Sequence, residues 1–262
     1  MSKAARQKSA RERLAEERRR QADRQRRFRA LLISLTALAV IGVVVAVFVV
    51  VQSNRNKPDG YAGPLAPQTR QADGSVVMAR PGVQGPVLEV YEDFQCPACA
   101  KFEETTGDTV KRLAADGKVK VVYRPFRLFQ QEPLKSNSQR AANAAACAPA
   151  DKWIRFHDKV FKEQPPEGQA GFANKDLIDW AGSVGITGAG FEKCVNGGEK
   201  GSTVDAATQY AQQQRIEGTP SVRLNGKELG DTAFTAQGLE QAILAASAAP
   251  AASPSATPKK NS

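Results

Sequence analysis

Two cysteines separated by two residues, Cys96-Pro97-Ala98-Cys99, stand between an apolar run, Pro86 to Phe94, and the helix-forming stretch that begins Lys101-Phe102-Glu103-Glu104. The pattern reads as strand, tight turn and helix, with Cys96 at the helix N-terminus. Only a thiolate attacks a disulfide, and unpaired N–H groups together with the positive end of the helix dipole favour that form. A second thiol one helical turn on is placed to resolve a mixed disulfide. About 120 residues later Gly218-Thr219-Pro220-Ser221-Val222-Arg223-Leu224-Asn225-Gly226 reads as a turn leading into a short strand. The two segments read together as one site.

An inert staple or half of a zinc site would use the same four residues. Structural zinc takes four ligands, which ribbons bring as two CxxC pairs. Here the remaining cysteines, Cys147 and Cys194, stand 47 positions apart, and His157 is the single histidine. No metal and no cofactor is expected, and redox activity is the stronger reading of Cys96 and Cys99. His157, between Phe156 and Asp158 in an amphipathic stretch, reads as a packed or surface residue rather than a catalytic one. Gly185 to Gly190 follows a helix rather than a strand, so it reads as helix termination and not as a nucleotide loop. Trp153 and Trp180 read as core residues of helix faces.

The net charge of +10 is concentrated at one end. Residues 1–29 carry 12 Lys/Arg against four acids, whereas residues 58–262 balance at 23 of each sign. The balanced part has no electrostatic reason to seek nucleic acid. Residues 30–51 contain no charge, and 22 residues of helix span roughly 33 Å, enough for a bilayer core. The basic flank predicts a transmembrane helix at 30–51 with a cytoplasmic N-terminus, and segment 1–29 reads as the arm that sets this topology. A cleaved signal peptide fits less well, because the apolar run is long and no A-x-A site follows it. All four cysteines then lie on the extracytoplasmic side of the cell membrane, where disulfides persist.

Beyond the apolar run, residues 52–74 read as a Pro/Gly-rich linker and residues 247–262 as a disordered Ala/Pro/Ser tail. Taken as a flexible chain, a linker of that length reaches some 25–30 Å. Between them lies one domain, 75–246. Val76-Val77-Met78, Val87 to Tyr91 and Val119 to Arg124 read as strands, and 98–115 reads as one helix ending near Gly117. Residues 136–215 form a helical block, with segments at 138–148, 152–163, 175–184, 191–195 and 203–215 broken by Pro149, Pro165-Pro166, Gly185 and Gly197-Gly198. Ser221–Leu224 and Lys227–Leu229 flank Asn225-Gly226, a hairpin signal, and a last helix is expected over 235–246. A CxxC after the first strand of a βαβ unit, followed by ββα, predicts an α/β fold of thioredoxin-like type with a helical insertion.

With these residues in view, the chain resembles the DsbA-like thiol-disulfide oxidoreductases of the bacterial cell envelope over about residues 75–246. The resemblance rests on Val87 to Cys99, on Val122-Tyr123-Arg124-Pro125-Phe126, on Lys152 to Asp158 and on Gly218-Thr219-Pro220. It implies that Cys96 is the exposed nucleophile, Cys99 the buried resolving thiol and Thr219-Pro220 a cis peptide beside them, with Pro97 and Ala98 completing the motif and groove. The family often carries His where this chain has Ala98. It also commonly places a carboxylate six residues before the first cysteine, where this chain has Val90; Glu89 and Glu92 are nearby but out of register. Of the three connectivities open to four cysteines, 96–99 with 147–194 is expected, since the CxxC pair must be free to cycle. A bridge closing 47 residues contributes about 4 kcal/mol in the loop-entropy picture.

The resemblance implies an oxidase that passes disulfides to cysteine-containing secreted or envelope proteins and is reoxidised by a membrane-bound, quinone-linked partner. A reductase or isomerase, as in cytochrome c maturation, remains open beside it. So does a redox-inert module that binds peptides in the groove.

Overall fold

In the computed structural model the described residues are 61–248. The arm at 1–29, the apolar segment 30–51, the first part of the linker and the tail beyond residue 248 lie outside them. Among the described residues no helix is long and apolar enough to cross a membrane.

The strands are β1 (Gln68–Arg70), β2 (Val76–Met78), β3 (Val87–Glu92), β4 (Lys120–Pro125), β5 (Ser221–Leu224) and β6 (Lys227–Glu228). They form one six-stranded sheet in the order β1-β2-β4-β3-β5-β6, parallel only between β3 and β4. The central pair turns one face wholly into the core, while Glu89, Lys120 and Arg124 on the other face are only partly buried. Leu88, Val90, Val121 and Tyr123 are all fully covered. The hairpin turn Asn225-Gly226 has both residues at positive φ, 51° and 78°, the backbone that this dipeptide accepts most readily.

Among the described residues eight α-helices accompany the sheet: α1 (Pro97–Phe102), α2 (Asp108–Ala115), α3 (Leu134–Cys147), α4 (Trp153–Lys162), α5 (Asn174–Ser183), α6 (Ala189–Gly197), α7 (Gly201–Gln213) and α8 (Ala236–Ala248). Helices α3 to α7 are the insertion between β4 and β5, and they pack mainly on one another. Trp153, Phe156 and Val160 of α4 carry the insertion's apolar face into the same core as β3 and β4. Helix α8 begins after Thr235, whose backbone is extended and whose hydroxyl oxygen accepts the Gly238 N–H at 3.1 Å, an N-cap.

Two expectations change. The helix over 98–115 is interrupted by a π-turn at Glu103–Gly107. Thr105 and Thr106 turn their hydroxyls back onto the carbonyls of Lys101 and Phe102, which offers the backbone an alternative to the regular ladder. The linker, read as 52–74, contains β1, and Ala66 just before it belongs to the core. The strand is held by long-range contacts. Arg70 donates to the Ala145 and Ala148 carbonyls at the C-terminal end of α3, and the Gln68 side-chain oxygen accepts the Ile154 N–H.

Candidate active site

Strand β3 delivers the chain into a tight turn that sets Cys96 as the N-cap of α1, with Pro97 at the first helical position, where no N–H is needed. Asp93 organises this turn. It accepts the Gln95 and Leu128 N–H groups and the Ser138 hydroxyl, each at 2.8 Å, tying the turn to β4's exit and to α3. Gln164, just beyond α4, donates its side-chain amide to the Phe94 and Cys96 carbonyls at 2.7 and 3.0 Å. Cys96 is therefore gripped through its backbone from two sides.

Cys96 and Cys99 are both reduced. Cys99 is fully buried, but Cys96 is only 7% exposed, so the openly exposed nucleophile implied by the resemblance is not what this chain presents. Its sulfur lies 3.3 Å from the Thr219 carbonyl oxygen, and that loop covers it. Thr219–Pro220 is a cis peptide. The structure thus brings Cys96, Cys99, Thr219 and Pro220 into one site, with Pro97 and Ala98 exposed at its rim.

The two thiols are electrostatically unlike. Cys96 is lowered from 9.0 to about 6: the Cys99 thiol donates to its sulfur, and the Ala98 and Cys99 N–H groups at the helix N-terminus add to this against burial. Cys99 is raised well above the ordinary thiol range by its burial, by the same hydrogen bond and by the charges of Cys96 and Glu92. No side chain at position 98 takes part.

Beneath Cys99 lies a buried group of ionisable side chains from four elements. Glu92 comes from β3, Glu103 from the π-turn, Lys111 from α2, and His157 and Asp158 from α4. His157 Nε2 is 3.1 Å from each Glu92 oxygen, and its Nδ1 is 3.1 Å from Asp158 Oδ1. Lys111 Nζ is 2.9 Å from Asp158 and 3.5 Å from Glu103. Phe94, Tyr123, Trp153 and Phe161 surround the imidazole. Burial disfavours a charged His157, yet Glu92 and Asp158 outweigh it and raise the group to about 10, an imidazolium at neutral pH. Burial raises Glu103 to about 7, against the pull of Lys111 and His157.

Glu92, Glu103 and His157 have ligand atoms within 4.8 Å of one another, close enough to hold a metal ion. The ammonium of Lys111 and the imidazolium of His157 already supply countercharge to these carboxylates, so the donor set fits a salt-bridge network better than a cation site.

This group sharpens one reading and corrects another. Of the two settings expected for His157, packed or surface, it takes the packed one, at the centre of the network. Glu92 is not out of register with Val90: residues two apart on a strand share a face, so its side chain continues the buried face of Val90 toward the cysteines. Glu89 does point the other way, where it binds Arg124 at 2.9 Å. Lys111, Asp158 and Glu103 were not singled out by sequence. For Glu103 a signal existed, since it lies four residues after Cys99 on the same helix face.

Cys147, the last residue of α3, and Cys194 of α6 form a disulfide with Cα atoms 6.0 Å apart.

The family model described as thioredoxin matches residues 85–245. The oxidised DsbA of Mycobacterium tuberculosis is 30% identical, aligns over 70% of this chain and 93% of its own, and superposes with a TM-score of 0.57. The reduced disulfide bond oxidoreductase DsbG of the same organism is 29% identical over 70% and 94%, with a TM-score of 0.53. The thiol:disulfide interchange protein DsbA of Bordetella parapertussis is 29% identical over 142 residues, 53% of this chain; the match spans 64% of that curated relative's length. Given its sheet order, its cysteine pair at a helix N-terminus and these relatives, the chain belongs to the thioredoxin family and, within it, to the DsbA-like thiol-disulfide oxidoreductases.

Proposed function

We propose that the chain is a dithiol oxidase that introduces disulfides into secreted or envelope proteins through Cys96 and Cys99. The observation that carries this reading is the asymmetry of the two thiols. With Cys96 lowered to about 6, its reduced form is a thiolate at neutral pH, and a dithiol whose reduced form is stabilised is a strong oxidant. The absence of His at position 98 does not argue against it, because the Cys99 thiol and the helix N-terminus supply the stabilisation.

In the oxidised enzyme a substrate thiolate attacks Cys96 Sγ. The Cys96–Cys99 bond breaks, and Cys99 leaves and takes up a proton. A second substrate thiolate then attacks the substrate sulfur of the mixed disulfide, which releases the substrate disulfide and the Cys96 thiolate. The Thr219–Pro220 backbone beside Cys96 is placed to pair with an extended substrate segment as an added strand. Two electrons must afterwards pass to an acceptor, for which a membrane-bound, quinone-linked partner is the proposed class.

Several features support an extracytoplasmic domain held at the cell membrane by residues 30–51: the uncharged apolar run, its basic N-terminal flank and the Cys147–Cys194 disulfide, a bond that persists in oxidising compartments. The test of direction is the equilibrium of Cys96 and Cys99 against a glutathione buffer. A potential near about −120 mV supports the oxidase, and one near about −270 mV overturns it in favour of a reductase.

A further inference from the structure

The Cys96 carbonyl oxygen has more donors than it can fully use. It accepts the Cys99 N–H at 3.1 Å and the Ala100 N–H at 3.2 Å, which close the first turn of α1, and the Gln164 side-chain amide at 3.0 Å. A carbonyl oxygen carries two lone pairs. One of these donors has a competing acceptor, because the Cys99 N–H is also directed at the Cys96 sulfur. An N–H shared in this way is common at helix termini, and it divides its strength between its two acceptors.

The fold brings Gln164 to this carbonyl across 68 positions of chain. Its own N–H returns to the Phe161 carbonyl at the end of α4, and the Phe161 ring packs on Phe94 with centroids 4.9 Å apart. The same side-chain amide donates to the Phe94 carbonyl at 2.7 Å, so the carbonyls on both sides of Gln95 are held. Pro165 follows and disfavours a helical Gln164. The loop then closes on itself, so tightly that a Cβ at Gly171 would come within 2.4 Å of Pro165 Cγ. Its return arm is bound to the same turn. Asn137 donates to the Gln95 side-chain oxygen at 2.5 Å and to the Gln169 carbonyl at 2.8 Å, and Arg140 donates to the Gly171 and Phe172 carbonyls. Gln164 is thus fixed against the reactive turn by both ends of its loop.

We propose that Gln164 is a positioning residue for the nucleophile: by occupying the Cys96 carbonyl it releases the Cys99 N–H to the Cys96 sulfur when that sulfur is a thiolate. The inference rests on the dithiol reading above and concerns how its thiolate is held. A hydrogen bond to a charged acceptor is about twice as strong as one to a neutral acceptor, so a donor freed for the sulfur favours its ionised form. The groups facing that sulfur are the Cys99 thiol and the Ala98 and Cys99 N–H groups from α1, and Thr219 from the loop before β5. Glu92 from β3 bears on Cys99. Gln164 touches neither sulfur and acts through the backbone alone.

The test is the Cys96 titration of the reduced full-length chain, read as thiolate absorbance in the ultraviolet. The wild type is expected to show an inflection near 6. Gln164→Met keeps the length of the side chain but has no donor, and it is expected to raise that inflection by about one pH unit. The equilibrium against glutathione at about pH 7 then moves about fivefold toward the oxidised protein, since its reduced form has lost thiolate stabilisation. A purely structural tie would lower the melting temperature and leave the inflection and the equilibrium where they are, and that result overturns the proposal. Should Gln164→Met not fold, Gln164→Asn, one methylene shorter, carries the same expectation and the same refutation. A wild-type chain without thiolate below about pH 8 instead overturns the stabilised-dithiol reading itself, so the two failures are distinct.

Discussion

The chain carries two cysteine pairs whose surroundings could hardly differ more. Cys96 and Cys99 are held on one helical turn, one sulfur beneath the Thr219 carbonyl and the other above a buried salt-bridge network. Cys147 and Cys194 join the end of α3 to α6 inside the helical insertion, with Cys194 among apolar neighbours such as Phe191 and Val195. A thiol at a helix N-terminus gains from the charge it develops, whereas one between packed helices gains only from being tethered. The same side chain becomes a reagent in one setting and a staple in the other.

Cys96→Ser separates the two pairs most sharply. It is expected to abolish thiol-disulfide exchange in an insulin-reduction or peptide-oxidation assay, while a Cys147→Ser/Cys194→Ser double variant keeps it in whatever fraction remains folded. Exchange surviving in Cys96→Ser would place the chemistry elsewhere. The next largest effect is on the network beneath the reactive pair. His157→Gln removes one partner of a buried ion pair and is expected to cost about 4 kcal/mol in chemical denaturation. A loss under about 1 kcal/mol would mean that Glu92 and Asp158 find other partners.

Removing the staple comes third. The double serine variant is expected to lose about 3 kcal/mol, a drop that the melting temperature would report. The smallest effect is a pH dependence confined to the reactive pair. Cys96 titrates near 6 when folded and near 9 when unfolded. Between those values the unfolded chain binds the extra proton, so the reduced form gains stability as pH rises. His157 acts with the opposite sign, its contribution being complete below about 6.5 and lost as pH approaches 10. It does so in both redox forms, so the difference between reduced and oxidised protein isolates Cys96. From pH 6 to 7 that difference is expected to shift by about 1 kcal/mol toward the reduced form. A shift of the opposite sign would contradict a stabilised thiolate.

Much of this was legible in the chain because its signals are local. The strand-turn-helix around Cys96, the hairpin at Asn225-Gly226 and the breaks at Pro149 and Gly185 each lie within a few neighbouring residues. Strand β1 was hidden, since three residues of mixed polarity carry no period and are held by Arg70 and Gln68 reaching 75 or more positions along the chain. The π-turn was hidden for a related reason. Gly107 and Thr106 do not by themselves say that a helix will bulge rather than bend or continue.

By itself the amino-acid sequence determined the βαβ–helices–ββα order and the reactive motif, because strand alternation, helix period and turn chemistry act over short spans. The tertiary structure alone decided what lies under Cys99. Glu92, Glu103, Lys111, His157 and Asp158 are spread over 67 positions and read singly as ordinary charged residues. Their charges survive burial only because the fold sets them 2.9 to 3.5 Å apart, where mutual attraction offsets the loss of water.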